Sequence, residues 1–388
     1  MHRIHSHALT ATAAAALTSA LVGALQGPVF TDEHEQILRH MELIDLPDGI
    51  GGTVRTLRIT GVNVQIVNGL GATTGNPGMP GDVVTNGLGN LIVGYNEDAS
   101  GSTDRSGSHN LVVGTKHGYS GVGGAVMGDE STIAGSWNVA LGGRGNSVDG
   151  VCCSVLGGYG NRSGAFASTV AGGFSNDAAS SGSTVSGGEG NTTGGEGWGM
   201  SVFGGQFNRA ENWHNTVVGG LENETVGGFA SVVVGGYNNL AAGGNQALVA
   251  GGSNNEARSF NSVVVGGNQN VAQSAGSVFG GQQNTAWPYG VAVGGHENVA
   301  QTRGSVFGGR QNFALPFGTA VGGSGNSATG NNSTVVGGVD NVASADGATV
   351  GGGRGNHASA NGATVSGGRG RTADGQDDWA AGSLLEDS

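Results

Sequence analysis

Between residues 138 and 373 the apolar positions follow neither the alternation of an ordinary strand nor the 3.6-residue stripe of a helix. They return with a longer period. A Gly-Gly pair begins at residues 142, 157, 172, 187, 204, 219, 235, 251, 266, 280, 294, 308, 322, 337, 352 and 367, in steps of 14 to 17 residues, most often 15. Two residues before the pair stands Val in 13 of 16 copies, four after its first glycine stands Asn in 15, and six after it stands Ala in 12. The segment Asn261-Ser262-Val263-Val264-Val265-Gly266-Gly267-Asn268-Gln269-Asn270-Val271-Ala272 represents the unit. A period fixed over so many copies decides the architecture before any local assignment.

Fifteen residues are too few for a helical hairpin but fit one coil of a β-solenoid, with two short strands and two tight corners. Valine packs well on a pleated surface. Gly-Gly supplies a positive-φ turn and lets coils stack closely. Asparagine tolerates the left-handed region and bonds neighbouring backbone, so that one Asn per coil is expected to form a ladder. The residue just before Gly-Gly is often apolar too: Leu141, Leu156, Phe203, Val218, Val234, Phe279, Phe307 and Val336. Adjacent strand residues face opposite ways, so one apolar column is expected inside the coil and a second outside, against another chain. A 28-residue super-repeat also places Phe279, Val293, Phe307 and Val321 large-small-large-small up the stack.

Asn261-Ser262-Val263-Val264-Val265-Gly266 resembles the Asn-Ser-Val-Ala-Ile-Gly repeat in the YadA-type heads of trimeric autotransporter adhesins. The resemblance spans about 60% of the chain, from residue 138 to residue 373. It implies a left-handed parallel β-roll, three chains side by side, and adhesion to host or matrix proteins. Most copies here carry two glycines where that family has one, and neither a long coiled-coil stalk nor membrane-anchor strands are apparent.

The expected organisation is a signal peptide over 1–24, a short helix and linker over 25–50, an irregular cap with the first coils over 51–128, the regular roll over 129–371 and an acidic tail over 372–388. The first segment has an apolar run from about Ala8 to Leu21 behind Arg3, with Val22-Gly23-Ala24 as its cleavage site. Thr31-Asp32-Glu33 reads as a helix start, with Ile37, Leu38 and Met41 on one face. Residues 53–70 read as alternating strands opening the roll. The tail is read as a frayed end or a thin cap.

Chemistry is harder to find. A formal charge of −13 with a single lysine, Lys116, speaks against nucleic-acid binding. His34 and His40 are six apart, not the four that a helical zinc pair needs. The Gly-Gly-x-Gly-Asn segments lack the carboxylates and nine-residue period of calcium-binding repeats. Neither a phosphate loop nor a nucleophile elbow occurs, so no catalytic, metal or cofactor site is assigned. Cys152-Cys153 leaves a vicinal bridge, an inter-chain bridge and free thiols all open. Trp287, Tyr289 and Phe317 are expected on one corner, either as an exposed strip for a protein or glycan or packed corner on corner. The expectation is a secreted or cell-surface, non-enzymatic repeat protein, adhesin-like or a rigid spacer. It would form a homotrimer and have no membrane-spanning segment in the mature chain. The alternatives are a structural fibre or matrix component without a ligand and a polysaccharide-processing β-helix enzyme.

Overall fold

A computed structural model describes residues 31–98, 103–382 and 384–386, and the chain divides into two units at Gln65/Ile66. The expected signal peptide lies outside the described residues. The first unit holds a helix α1, Asp32–Leu38, and an antiparallel hairpin of β1, Met41–Pro47, and β2, Thr53–Ile59. Acidic Asp32 and Glu33 stand in the first turn of α1, and the Thr31 N–H donates to His34 Nδ1 at 3.1 Å. The helix ends before Met41, which pairs with Ile59 in the hairpin. Residues 53–59 therefore do not open the roll as expected; they return along 41–47 because Asp48-Gly49 makes a turn. There the Asp48 carboxylate accepts the N–H groups of Ile50 and Gly52, which hold its pKa below the usual range.

The second unit is a β-solenoid of stacked parallel coils. Two ladders run along it. The first carries the valines, from β3, Leu91–Val93, to Trp379–Ala381; the second carries the alanines in eighteen strands, from Gly118–Tyr119 to Thr372–Ala373. Each strand pairs in register with the equivalent strand of the next coil, as in Val264↔Val278 and Ala272↔Ala286. A third line of single bridges joins the residues that follow Gly-Gly, from Arg144 to Arg369. Of the two forms expected for the tail, a frayed end and a thin cap, it takes the second. It completes another coil at Thr372–Ala373 and Trp379–Ala381, and strand Leu384–Glu386 then turns antiparallel onto the last rung. That turn pairs an edge that would otherwise offer open hydrogen bonds.

Four columns face inward in a regular coil. In the representative coil they are Ser262, Val264, Asn270 and Ala272, all fully buried. The asparagine column is the polar spine. Asn298 Oδ1 accepts the Asn312 N–H at 3.0 Å, while its Nδ2 donates to the Gly294 and Gly309 carbonyls at 3.1 and 3.2 Å. The pattern runs from Asn146 to Asn356 and ends on the Arg371 N–H at 2.9 Å. At the other end, Ser131 and buried His117 hold the same column, with the Ser131 N–H donating to His117 Nδ1 at 3.3 Å. Buried backbone groups need partners, and one amide per coil supplies them where the chain leaves strand geometry.

From Gly142 on, coil length varies only at the second corner, since Gly-Gly and the Asn position keep the same spacing, whereas the coils before it have a first corner one residue shorter, as the register shift at Met127/Asp129 shows. In the 14-residue coils that corner is so tight that the residue entering the first ladder is Gly276, Gly290, Gly304 or Gly318. A Cβ on Gly290 would lie 2.4 Å from the Ala300 oxygen. One inward position breaks the pattern at a cost. Thr225 replaces the usual alanine, and its buried hydroxyl has no partner, whereas Thr193 in the same column donates to Ser183 at 2.8 Å. Replacing Thr225 with valine keeps the shape and removes an unsatisfied group, so it should stabilise by about 1 kcal/mol. Urea unfolding followed by circular dichroism checks this; a loss of stability would contradict it.

Candidate functional site

Built from the coil outward, the surface consists of columns repeated at the coil spacing. The first is the column just before Gly-Gly. Its members stack directly, Val265 on Phe279, Val293, Phe307, Val321 and Val336 in turn. Phe279 and Phe307 remain 44% exposed and Val336 49%. The large-small alternation read from the super-repeat is thus a real column, on the outer face of the valine ladder.

The second feature is the corner that follows the alanine ladder. Tyr289 and Phe317 sit two coils apart, and Arg303 lies between them, its guanidinium carbon 5.6 Å from one ring centre and 5.3 Å from the other. All three residues are at positive φ, near 60°. The cation lies in attractive reach of both rings, so these two predicted site residues are brought together partly as local packing. Trp287 lies two residues before Tyr289 on the same corner and is half-exposed.

Sequence reasoning missed a longer run on this corner. Phe166, Trp198, Trp213, Phe229 and Phe260 each stand four residues before a buried valine of the next coil, at Val170, Val202, Val217, Val233 and Val264. Phe166 and Trp198 have ring centres 5.9 Å apart, and His214 packs edge-on to Phe229 at 5.2 Å. Counting backward from the downstream valine reveals the column. Counting forward from Gly-Gly smears it, because the corner between them changes length.

Other groups have local duties. A cleft of about 390 Å³ on the alanine side is lined by Glu222, Glu224 and Glu256 with Asn238 and Asn254. Arg209 binds Glu224 at 2.8 Å and Arg258 binds Glu256, so two of its carboxylates are already paired. Along the same face Arg162 bridges Asp149 at 2.9 Å and Asp177 at 3.4 Å, yet burial raises the Asp177 pKa above its usual value. Glu130 takes hydrogen bonds from Arg144 and Lys116, which lower its pKa. Among the described residues no group of three His, Cys, Asp or Glu side chains converges to hold a metal ion.

Cys152 and Cys153 are both free; Cys152 is exposed at φ 59°, while Cys153 is buried beside the Ala165 carbonyl. One thiol is exposed on a left-handed bend and the other is buried inside the coil, and the two are not joined. His109 fastens the loop before the first coils, accepting the Asn68 N–H at Nε2 (3.2 Å) and contacting the Thr73 carbonyl through Nδ1 (3.0 Å). No helix among the described residues is long and apolar enough to cross a membrane. No protein-family model matches the chain, and a search of curated proteins returns no significant match.

Proposed function

We propose that the chain is a non-enzymatic rod of the YadA-head kind, secreted or held at the cell surface, which serves as an adhesin-like binding module built from three like chains. The supporting observation is the apolar column on the outer face of the valine ladder, unbroken from Phe203 to Val336. Contiguous exposed apolar surface of this length marks an interaction site. Its repeat in ten successive coils, from Phe203 to Val336, matches a partner with the same period, and a second copy of the chain has that period. The interior adds weight, since a valine and an alanine per coil bury little apolar area for the backbone they order.

The test is molar mass by light scattering, on the native chain and on a Phe279→Asp, Phe307→Asp double variant. Both side chains point away from the coil, so circular dichroism should be unchanged. The expected result is a three-chain mass for the native protein and a one-chain mass for the variant. A one-chain mass for the native protein at every concentration would sink the assembly.

A further inference from the structure

The aromatic run on the second corner is not explained by coil construction. At the same place in other coils the corner is built with Ser274, Pro288, Thr302, Asn331, Asp346 or Asn361. These coils close equally well, so the fold does not require rings there. Yet in seven consecutive coils, from Phe166 to Phe260, five of the seven residues at this place are Phe or Trp. The rings are 44–55% exposed. Their backbone is fixed, because the N–H one coil on donates to the ring residue's own carbonyl: Gly182 to Phe166 at 2.8 Å, His214 to Trp198 at 2.9 Å, Ala230 to Trp213 at 3.0 Å and Gln246 to Phe229 at 2.8 Å. At roughly 4.8 Å per coil the run spans about 29 Å in a straight line.

We propose that this ridge is a docking track for a linear, uncharged polysaccharide. It deepens the binding-module reading above and rests on it, but not on how many chains associate. The chemistry fits in three respects. Half-exposed rings present flat apolar faces to the C–H faces of pyranose rings, and the coil spacing is close to the length of one sugar residue. Exposed Asn245, Gln246 and Asn261 flank the rings, and each amide both donates and accepts, as sugar hydroxyls require. Nearby charge is largely cancelled, with Glu211 held by Arg209 and Arg258 by Glu256, which leaves Glu196 as the odd carboxylate and no cationic surplus for a polyanion.

The experiment is affinity electrophoresis of the full chain in gels containing soluble neutral polysaccharides (hydroxyethyl cellulose, xylan, mannan), with alginate and a proline-rich peptide as alternative ligands. The native chain should be retarded by at least one neutral polymer. Trp213→Thr, which copies Thr302 of another coil, and Trp198→Ser, which copies Ser274, should each weaken binding about tenfold, as removal of a central aromatic anchor does. Tyr289→Ala with Phe317→Ala should leave it intact. Circular dichroism and molar mass are measured on every variant. A one-chain mass with retardation preserved would remove the assembly and keep the track. Absence of retardation in every neutral gel, retardation indifferent to both tryptophan changes, or binding confined to alginate or the peptide would each overturn the proposal.

Discussion

Replacing Gly309 with alanine should cost several times more stability than replacing its neighbour Gly308. Both sit at positive φ, 80° and 70°, so both changes incur the left-handed penalty of an L residue, about 1–2 kcal/mol. A Cβ on Gly308 meets nothing within 4 Å. A Cβ on Gly309 would lie 2.3 Å from the Gly323 carbonyl oxygen of the next coil and 2.3 Å from Asn312 Nδ2. One coil must then move away, and the amide that bonds the Gly308 and Gly323 carbonyls is displaced. Overpacking of this kind costs roughly 1–3 kcal/mol, and displacing the amide's hydrogen bonds adds a similar amount, so with the left-handed penalty the total is on the order of 3–8 kcal/mol. Coils interact with their neighbours only, so the damage should be local. Hydrogen exchange should quicken first between Gly294 and Gly338, and urea midpoints should rank native, Gly308→Ala, Gly309→Ala. Equal midpoints for the two variants would show that turn conformation, not coil contact, is what the glycine pair secures.

That contrast bears on what the sequence could tell. The period, the inward valine and alanine, and the asparagine ladder were legible because each coil must solve the same packing problem with the same residue. Both glycines of the pair looked alike in the sequence, since only the next coil distinguishes them. Thr53–Ile59 was misread as the start of the roll, because alternating apolar residues describe a strand without naming its partner, and Met41, read onto the helix face, begins the strand it pairs with. The tail looked polar, a frayed end or a thin cap, and Thr372, Ala373 and Trp379–Ala381 form another rung because a ladder already in place pairs strands too short to stand out in the sequence. The corner carrying Tyr289 and Phe317 was found through its super-repeat. Arg303 between them was not, although its spacing of 14 residues from each ring places it on the same corner one coil away.

The surface follows the same logic as the interior. A side chain repeated once per coil becomes a line, so a modest local preference is multiplied into an extended feature. The column through Phe279 and Phe307 and the ridge through Trp198 and Trp213 lie at opposite ends of the first-ladder strands. A chain partner along one therefore leaves the other accessible. On the function proposed above, self-association and recognition would use different lines of the same coils.

The asparagine spine gives the second large effect, and its size can be made to depend on pH. Asn298→Ala should cost about 2–4 kcal/mol, because the buried Asn312 N–H and the half-buried Gly294 carbonyl both lose their partner. The Gly309 carbonyl is spared, since it also accepts the His296 N–H at 2.9 Å. Asn298→Asp is the sharper case. One carboxylate oxygen can still accept the Asn312 N–H, but the other faces the two glycine carbonyls and must carry a proton to bond them. Burial and these acceptors raise its folded pKa above the unfolded value. The folded state then binds the extra proton, so the aspartate penalty is full at neutral pH and shrinks as pH falls through that raised pKa. The alanine variant has no such group, and its deficit relative to the native chain should stay flat over the same range. Urea unfolding of the three proteins from neutral to mildly acidic pH decides the matter. A pH-independent deficit for Asn298→Asp would mean that the amide nitrogen is not bonded to those carbonyls, and that the ladder holds the coils through its acceptor side alone.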